Sequence, residues 1–355
     1  MKTFIFAALA SAALVIPATV LANPGDTPIV QSPDVSSDHS EISDPSSSTF
    51  AFLETGPIYG DDAQTQPAGK SAVPPEKGPP LPFHVIEGYG GGAITPMAYL
   101  VNPPLGDNVL GLPAAAYSYV NLGQKDLQAF TFTENLLGRV ELGLGADRLD
   151  LGTLPNDIQK ATGVNVNTTN VWLYNVNARG LVVPENSFGT QWLPAVTIGA
   201  HFKYNDGIRS INDRLGGALS SLGYRNQDGV DFTLTASKTF ANVFGRPLIV
   251  SVGGRESEAA QLGFLGFADR YNATFEGNIA YLPTDWLLIA YEYRAKSDPY
   301  GQIPGLVEKE NDWHALDVSW LVNSHVDVTA GIGYFGVLAN ARADTAFWLQ
   351  LKYEF

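Results

Sequence analysis

The feature that most constrains this fold is a two-residue alternation of apolar and polar side chains, which recurs from about residue 114 to the end. Near the C-terminus, Leu349, Leu351 and Tyr353 alternate with Gln350 and Lys352. Successive side chains of a strand point to opposite faces, so each such segment predicts a strand with one apolar and one polar face. Twelve segments fit this pattern: 115–122, 127–135, 140–147, 172–179, 196–204, 230–237, 248–255, 271–281, 287–296, 316–320, 326–334 and 347–355.

The connections between these segments alternate in length when they are counted back from the C-terminus. Four are short, at 323–325, 282–285, 241–246 and 136–139, and four are long, at 297–311, 256–270, 205–229 and 152–169. Two depart from the rule, because 183–191 is long and 123–126 is short. Short periplasmic turns and long outer loops are typical of up-and-down barrels of the outer membrane. The sequence therefore predicts periplasmic chain ends.

Aromatic residues are sorted to the two ends of the predicted strands. One set falls near the periplasmic ends (Tyr281, Trp286, Trp320, Phe240, Trp192, Phe355) and another near the outer ends (Trp172, Tyr204, Tyr271, Tyr293, Tyr334, Phe347). A bilayer selects two such belts at its interfaces, whereas a soluble sandwich or lipocalin-like barrel has no reason to form them. We therefore predict an all-β, transmembrane antiparallel up-and-down barrel of about 12 strands over 114–355, in contact with outer-membrane lipid and lipopolysaccharide.

The N-terminal region has the composition of an exported protein. Residues 1–22 predict a cleaved signal peptide, with one lysine, an apolar core and the small-residue end Val20-Leu21-Ala22. Residues 23–81 are acidic and rich in Ser and Pro, which predicts a disordered periplasmic tail. The absence of cysteine excludes disulfides and a lipid-modified cysteine, and the net charge of −15 argues against a nucleic-acid partner.

Residues 82–113 form a Gly/Pro-rich segment whose role the sequence leaves open. The run Gly90-Gly91-Gly92 is like a phosphate-binding loop, but no Lys-Ser/Thr pair follows it. The segment either plugs the barrel or leads into the first strand and adds strands of its own.

Two stretches carry a family resemblance. Residues 90–96, Gly-Gly-Gly-Ala-Ile-Thr-Pro, followed by 138–144, Gly-Arg-Val-Glu-Leu-Gly-Leu, resemble a bacterial outer-membrane β-barrel family catalogued as a domain of unknown function. The resemblance extends from about residue 85 to the end. It implies a barrel and brings no catalytic residues with it.

The polar faces of the strands predict a lumen lined by both signs of charge. The candidates are Arg139, Glu141, Asp147, Arg179, His201, Lys203, Asp231, Arg255, Glu276, Glu292, Arg294, Lys296, Asp317, Lys352 and Glu354. These groups either set up a field that orients polar solutes in an open pore, or pair with one another and fill a narrow interior. Inward-facing glycines, among them Gly143 and Gly145, leave local room.

These observations lead to a main hypothesis of porin-like passage of small polar solutes. The alternative is a closed-pore structural or envelope component that serves polysaccharide export. A remoter one is a lipid-modifying enzyme, which would need His201 or His314 beside a serine. We expect no enzyme activity, no cofactor and no metal site. The final residues Phe355, Tyr353 and Leu351 resemble the signal that the barrel-assembly machinery recognises.

Overall fold

The computed structural model describes residues 78–355, so the predicted signal peptide and residues 23–77 of the predicted tail lie outside the described residues. Twelve antiparallel strands close into one barrel. They are β3 (Ala114–Asn121), β4 (Asp126–Leu136), β5 (Val140–Asp150), β6 (Asn170–Val183), β7 (Ala195–Asp206), β8 (Asp228–Val243), β9 (Arg246–Ala259), β10 (Phe267–Thr284), β11 (Leu287–Arg294), β12 (Trp313–Leu321), β13 (Val326–Tyr334) and β16 (Ala346–Glu354).

Each strand pairs with the next one along the chain, and the last strand closes the sheet. β16 pairs with β13 on one side and with β3 on the other, where Leu349 faces Tyr119. Two short hairpins stand apart from this sheet: β1 (Phe83–His84) with β2 (Gly90–Gly91), and β14 (Gly336–Leu338) with β15 (Ala341–Ala343). The predicted fold class is confirmed, and each barrel strand overlaps its predicted segment.

The two ends of the barrel differ in their connections. The terminal end, as we call the end that holds Ala114 and Glu354, has tight turns such as Leu137–Gly138, where both residues have positive φ. This geometry is that of a type I′ turn, whose twist matches that of the flanking strands. The opposite end, the loop end, has long connections, which contain the helices Leu154–Thr162, Ile208–Arg214 and Ala218–Leu222. None of the helices described within residues 78–355 is long and apolar enough to span a membrane.

The outer face of the barrel is apolar around its middle. Side chains such as Phe130, Leu144, Leu234 and Leu349 point away from the lumen and are about half exposed in the absence of lipid. Lys238, which the alternation places on this face, lies near the terminal end and pairs with Glu185 at 3.0 Å. An apolar band with its cations near the rims is the surface that a bilayer requires.

The barrel interior is filled in three layers. A small apolar cluster at the terminal end includes Leu282 and Leu288, and a polar layer occupies the middle. At the loop end, apolar side chains from the long connections form a third layer, which we call the cap; its members include Leu154, Ile158, Ile208, Ile211, Leu219, Leu262, Phe264, Phe335 and Leu338. The sequence did not predict the cap.

Candidate functional site

The candidate site is the lumen together with the chain segment that fills it. Residues 83–102, which we call the plug, are buried along their whole length. The plug enters at the terminal end, where the amine of Lys352 donates hydrogen bonds to the carbonyl oxygens of Pro80 (2.9 Å) and Pro82 (2.6 Å). The chain returns to that end before β3 begins. Of the two possibilities left open for 82–113, the structure places this part inside the barrel, outside the closed sheet.

Glycines of the wall let the plug backbone lie directly against β5. A methyl group at Gly143 would stand 2.0 Å from the carbonyl oxygen of Gly88, and one at Gly145 would stand 2.9 Å from that of Glu87. No real Cβ tolerates the first distance. Glycine is therefore required at position 143 for the plug to lie where it does.

The glycine-rich tip of the plug forms a cradle for a carboxylate. Glu292 accepts backbone N–H bonds from Ala93 (2.6 Å), Ile94 (3.3 Å) and Thr95 (2.8 Å), together with a hydrogen bond from the Thr95 hydroxyl. A methyl at Gly92 would lie 2.4 Å from a carboxylate oxygen of Glu292. The loop thus resembles a phosphate cradle in its chemistry, but a side chain of the wall occupies it.

Arg179 and Glu141 join the two arms of the plug, which are the segments on either side of its glycine-rich tip. Arg179 donates to the carbonyl oxygen of Gly90 (2.7 Å), to that of Met97 and to Glu141 (2.9 Å). Glu141 in turn accepts the N–H groups of Gly90 (2.9 Å) and Val101 (2.7 Å). Hydrogen bonds to charged groups are stronger than neutral ones, so this pair fixes both plug arms to neighbouring strands.

The plug also carries a carboxylate of its own into the wall. Glu87 forms ion pairs with Lys203, with Arg294 (2.5 Å) and with Arg255 (3.6 Å). The Tyr89 hydroxyl donates to the same carboxylate at 3.0 Å. All of these groups are buried, and burial of a carboxylate is tolerated when cations and hydrogen-bond donors surround it.

The plug leaves the lumen beside the connection between β6 and β7. The hydroxyl of Tyr99 donates to Glu185 (2.6 Å), and Glu185 also accepts the N–H of Thr239 (2.9 Å). Glu185 is buried and is paired with Lys238, so the long connection that disturbed the predicted loop pattern serves as a clasp over the plug.

The cap closes the lumen at the loop end. Between the cap and the plug tip lies an apolar cavity of about 40 Å³, with Ile94, Phe264 and Trp348 among its lining residues. Lys125 joins the cap from the connection between β3 and β4 and donates to Asn340 at 2.6 Å. Burial lowers the pKa of Lys125 to about 8.

Most of the predicted lumen residues lie inside the barrel and are buried: Glu141, Asp147, Arg179, His201, Lys203, Asp231, Arg255, Glu276, Glu292, Arg294, Asp317, Lys352 and Glu354. Arg139 does not: it is exposed, because the chain has left strand geometry in the turn before β5. Lys296 lies just beyond β11, where it pairs with Glu310 at 3.2 Å. The terminal residues Leu351, Tyr353 and Phe355 point outward.

The two histidines considered for catalysis have other partners. His201 is buried, with its ring nitrogens 2.9 Å from Asn177 Oδ1 and 2.9 Å from Thr233 Oγ1. His314 lies 2.8 Å from the Tyr291 hydroxyl on the outer face. No hydrogen bond joins either ring to a serine in the described part of the chain. Residues 78–355 also contain no group of three or more His, Cys, Asp or Glu side chains that could hold a metal ion.

Glu87 is the most important residue that the sequence interpretation missed. It is the only Asp, Glu, Lys or Arg residue between positions 82 and 102. A single charge in a long uncharged segment that ends up buried signals a specific partner, since an unpaired buried charge is costly. That signal was available from the sequence.

Comparisons with known proteins give one family and several solved barrels. The KdgM porin is 11% identical over 68% of this chain and 99% of that chain, with a TM-score of 0.42. The NanC porin is 9% identical over 68% and 98%, with a TM-score of 0.38. Omp33 of Acinetobacter baumannii is 11% identical over 70% and 99%, with a TM-score of 0.36. No curated protein matches the sequence.

The family model that matches is described as "Protein of unknown function (DUF3034)" and covers residues 83–352. The match begins at the first residue of the plug and ends in the last strand, so it includes the plug together with the barrel. The resemblance noted from residues 90–96 and 138–144 is thereby confirmed. This twelve-stranded barrel, with its internal plug, belongs to the DUF3034 family of unknown function.

Proposed function

We propose that this protein is a gated outer-membrane barrel, which passes small polar solutes when the plug leaves the lumen. One observation carries the proposal: the twelve-stranded sheet is closed without the plug, whose hairpin strands β1 and β2 pair with each other. Removing the plug therefore breaks no strand pairing of the barrel. In this proposal the terminal end faces the periplasm, as the loop lengths predict.

The chemistry of the wall supports a polar passage. The middle of the lumen carries what we call the polar belt: Glu141, Arg179, Lys203, Asp231, Arg255, Glu276, Glu292 and Arg294. In the closed state these groups bind each other and the plug backbone. Water can replace the plug as their hydrogen-bond partner, because exchanging one partner for another costs much less than leaving a buried charge unsatisfied.

A closed structural component is the second candidate, and the cap favours it. The plug and the cap obstruct the lumen from opposite ends, so a wide opening requires both to move. A component that only stabilises the envelope or an export assembly needs no such movement, and a permanently closed interior suits that role.

Conductance of the purified full chain in planar bilayers distinguishes the two. We expect wild-type protein to be closed most of the time with brief openings, and Arg179→Met to open at least ten times as often because both plug arms lose their common donor. Arg148→Met is the matched control, since Arg148 lies toward the outer face of β5. If neither wild type nor Arg179→Met opens, the proposal of a gated barrel is wrong and the structural role is favoured.

A further inference from the structure

The three cations that hold Glu87 form a site that the plug completes with its own carboxylate. Lys203, Arg255 and Arg294 project from β7, β9 and β11 into the lumen. The wall acids that pair with them are Asp231, which lies 2.7 Å from Lys203 and 3.0 Å from Arg255, and Glu276, 3.2 Å from Arg255. Three positive charges therefore face two negative charges of the wall, and Glu87 supplies the third.

The other acids and donors nearby do not take the place of Glu87. Asp147, also buried in the lumen, accepts a hydrogen bond from Asn175 at 2.8 Å and forms no ion pair with a residue in the described chain. Glu292 forms no ion pair with these three cations in the described chain, and its oxygens accept N–H bonds of the plug tip. The Tyr89 hydroxyl, which accepts from Arg255 at 2.6 Å, belongs to the plug and leaves with it.

We propose that Lys203, Arg255 and Arg294 form a binding site for the carboxylate of a solute, and that Glu87 occupies this site as a built-in substitute when the barrel is closed. The inference rests on the proposed gated passage and names its substrate class: small polar solutes that carry a carboxylate. Once the plug leaves, Lys203, Arg255 and Arg294 lose the carboxylate that pairs with all three of them. A carboxylate binds there more strongly than a neutral solute, because charge-assisted hydrogen bonds are the stronger ones.

The geometry also explains why passage and closure compete. The solute carboxylate and the Glu87 carboxylate require the same three cations, so a bound solute opposes return of the plug. A ligand shifts such an equilibrium by its difference in affinity for the two states. Carboxylate solutes then hold open the barrel that they pass through, whereas neutral solutes do not.

The test uses the full chain and requires no conductance measurement. The proposed carboxylate site can therefore fail this test independently of the gating proposal. Glu87→Ala removes the Cγ atom and the carboxyl group, which together have the heavy atoms of acetate. We expect this variant to unfold at a lower temperature than wild type in detergent. Sodium acetate, compared with sodium chloride at equal ionic strength, should raise its midpoint saturably by at least about 2 °C.

Glu87→Gln is the matched control, because its neutral amide fills the space and leaves no room for acetate. Acetate should not stabilise this control or wild type, and adding Arg294→Gln to Glu87→Ala should abolish the effect. If Glu87→Ala does not fold in chloride, its refolding yield in acetate and in chloride replaces the melting temperature, with the same expectation. An equal effect of acetate on all variants, or no effect on Glu87→Ala, overturns the proposed site.

Discussion

The cradle around Glu292 makes the sharpest prediction about how the plug is held. In Glu292→Gln the side chain keeps its shape, but it loses its charge and one of its two acceptor oxygens. The new amide group is a donor, and it meets N–H donors of the plug tip. Of the N–H groups of Ala93, Ile94 and Thr95, at least one loses its acceptor.

The magnitude follows from these contacts. A buried donor left without a partner costs about 1–3 kcal/mol, and the remaining hydrogen bonds weaken because their acceptor is now neutral. We therefore expect the plug to be destabilised by about 2 kcal/mol, which corresponds to an increase of about 30-fold in the released population.

Cysteine labelling measures that population directly, because the native chain contains no cysteine. Met97, whose side chain is 2% exposed inside the lumen, is replaced by cysteine, and its reaction with a maleimide is followed in wild-type and Glu292→Gln backgrounds. The labelling rate should rise about 30-fold in Glu292→Gln. Glu256→Gln, at an exposed position of β9, should leave it unchanged. Equal rates in the Glu292→Gln and Glu256→Gln backgrounds would refute the assignment of the cradle as the plug's anchor.

Two further predictions concern the wall and the cap. Gly143→Ala forces a methyl group onto the backbone of Gly88 and should destabilise the plugged state by about 1–3 kcal/mol, seen as faster labelling at position 97, whereas Gly180→Ala meets no neighbour within 4 Å and should not. The pKa of Lys125, about 8 in the folded protein against an ordinary 10.5, means that burial penalises the charged amine fully below pH 8. The free energy of unfolding of wild type should therefore rise relative to Lys125→Met between pH 8 and 10.5, and a difference that stays constant with pH would contradict this.

The barrel was predictable because its cause is local. In each strand the lumen face and the lipid face alternate with the same two-residue period. The parity of a position, odd or even along its strand, therefore suffices to assign Lys203 inward and Phe202 outward. Parity failed where the backbone leaves strand geometry, as at Arg139. It also gave no sign of the helix Leu154–Thr162, whose buried residues Leu154 and Ile158 are spaced by four and pack only in the folded cap.

The plug was harder to predict because its partners are remote in sequence. The bond from Ala93 to Glu292 spans 199 residues, and no local pattern links the two. The glycine run was like a phosphate-binding loop, but no Lys-Ser/Thr pair follows it, and nothing in the sequence pointed to a carboxylate of the wall as its partner. The lone acid at Glu87 was the missing clue, since a segment that must carry one charge into a barrel needs cations there.

The three layers of the interior differ in the free energy required to open them. This difference predicts whether the plug or the cap limits conduction. Water can solvate the polar belt after the plug leaves, but it cannot replace the contacts of the apolar cap. Loss of the plug alone should therefore give openings that are frequent but narrow. In an Arg179→Met background, Phe264→Ala shortens a buried side chain of the cap that lines the cavity next to the plug tip, and it should raise the unitary conductance without changing the opening frequency. A rise in frequency at constant unitary conductance would mean instead that the plug is the sole barrier and that the cap moves with it.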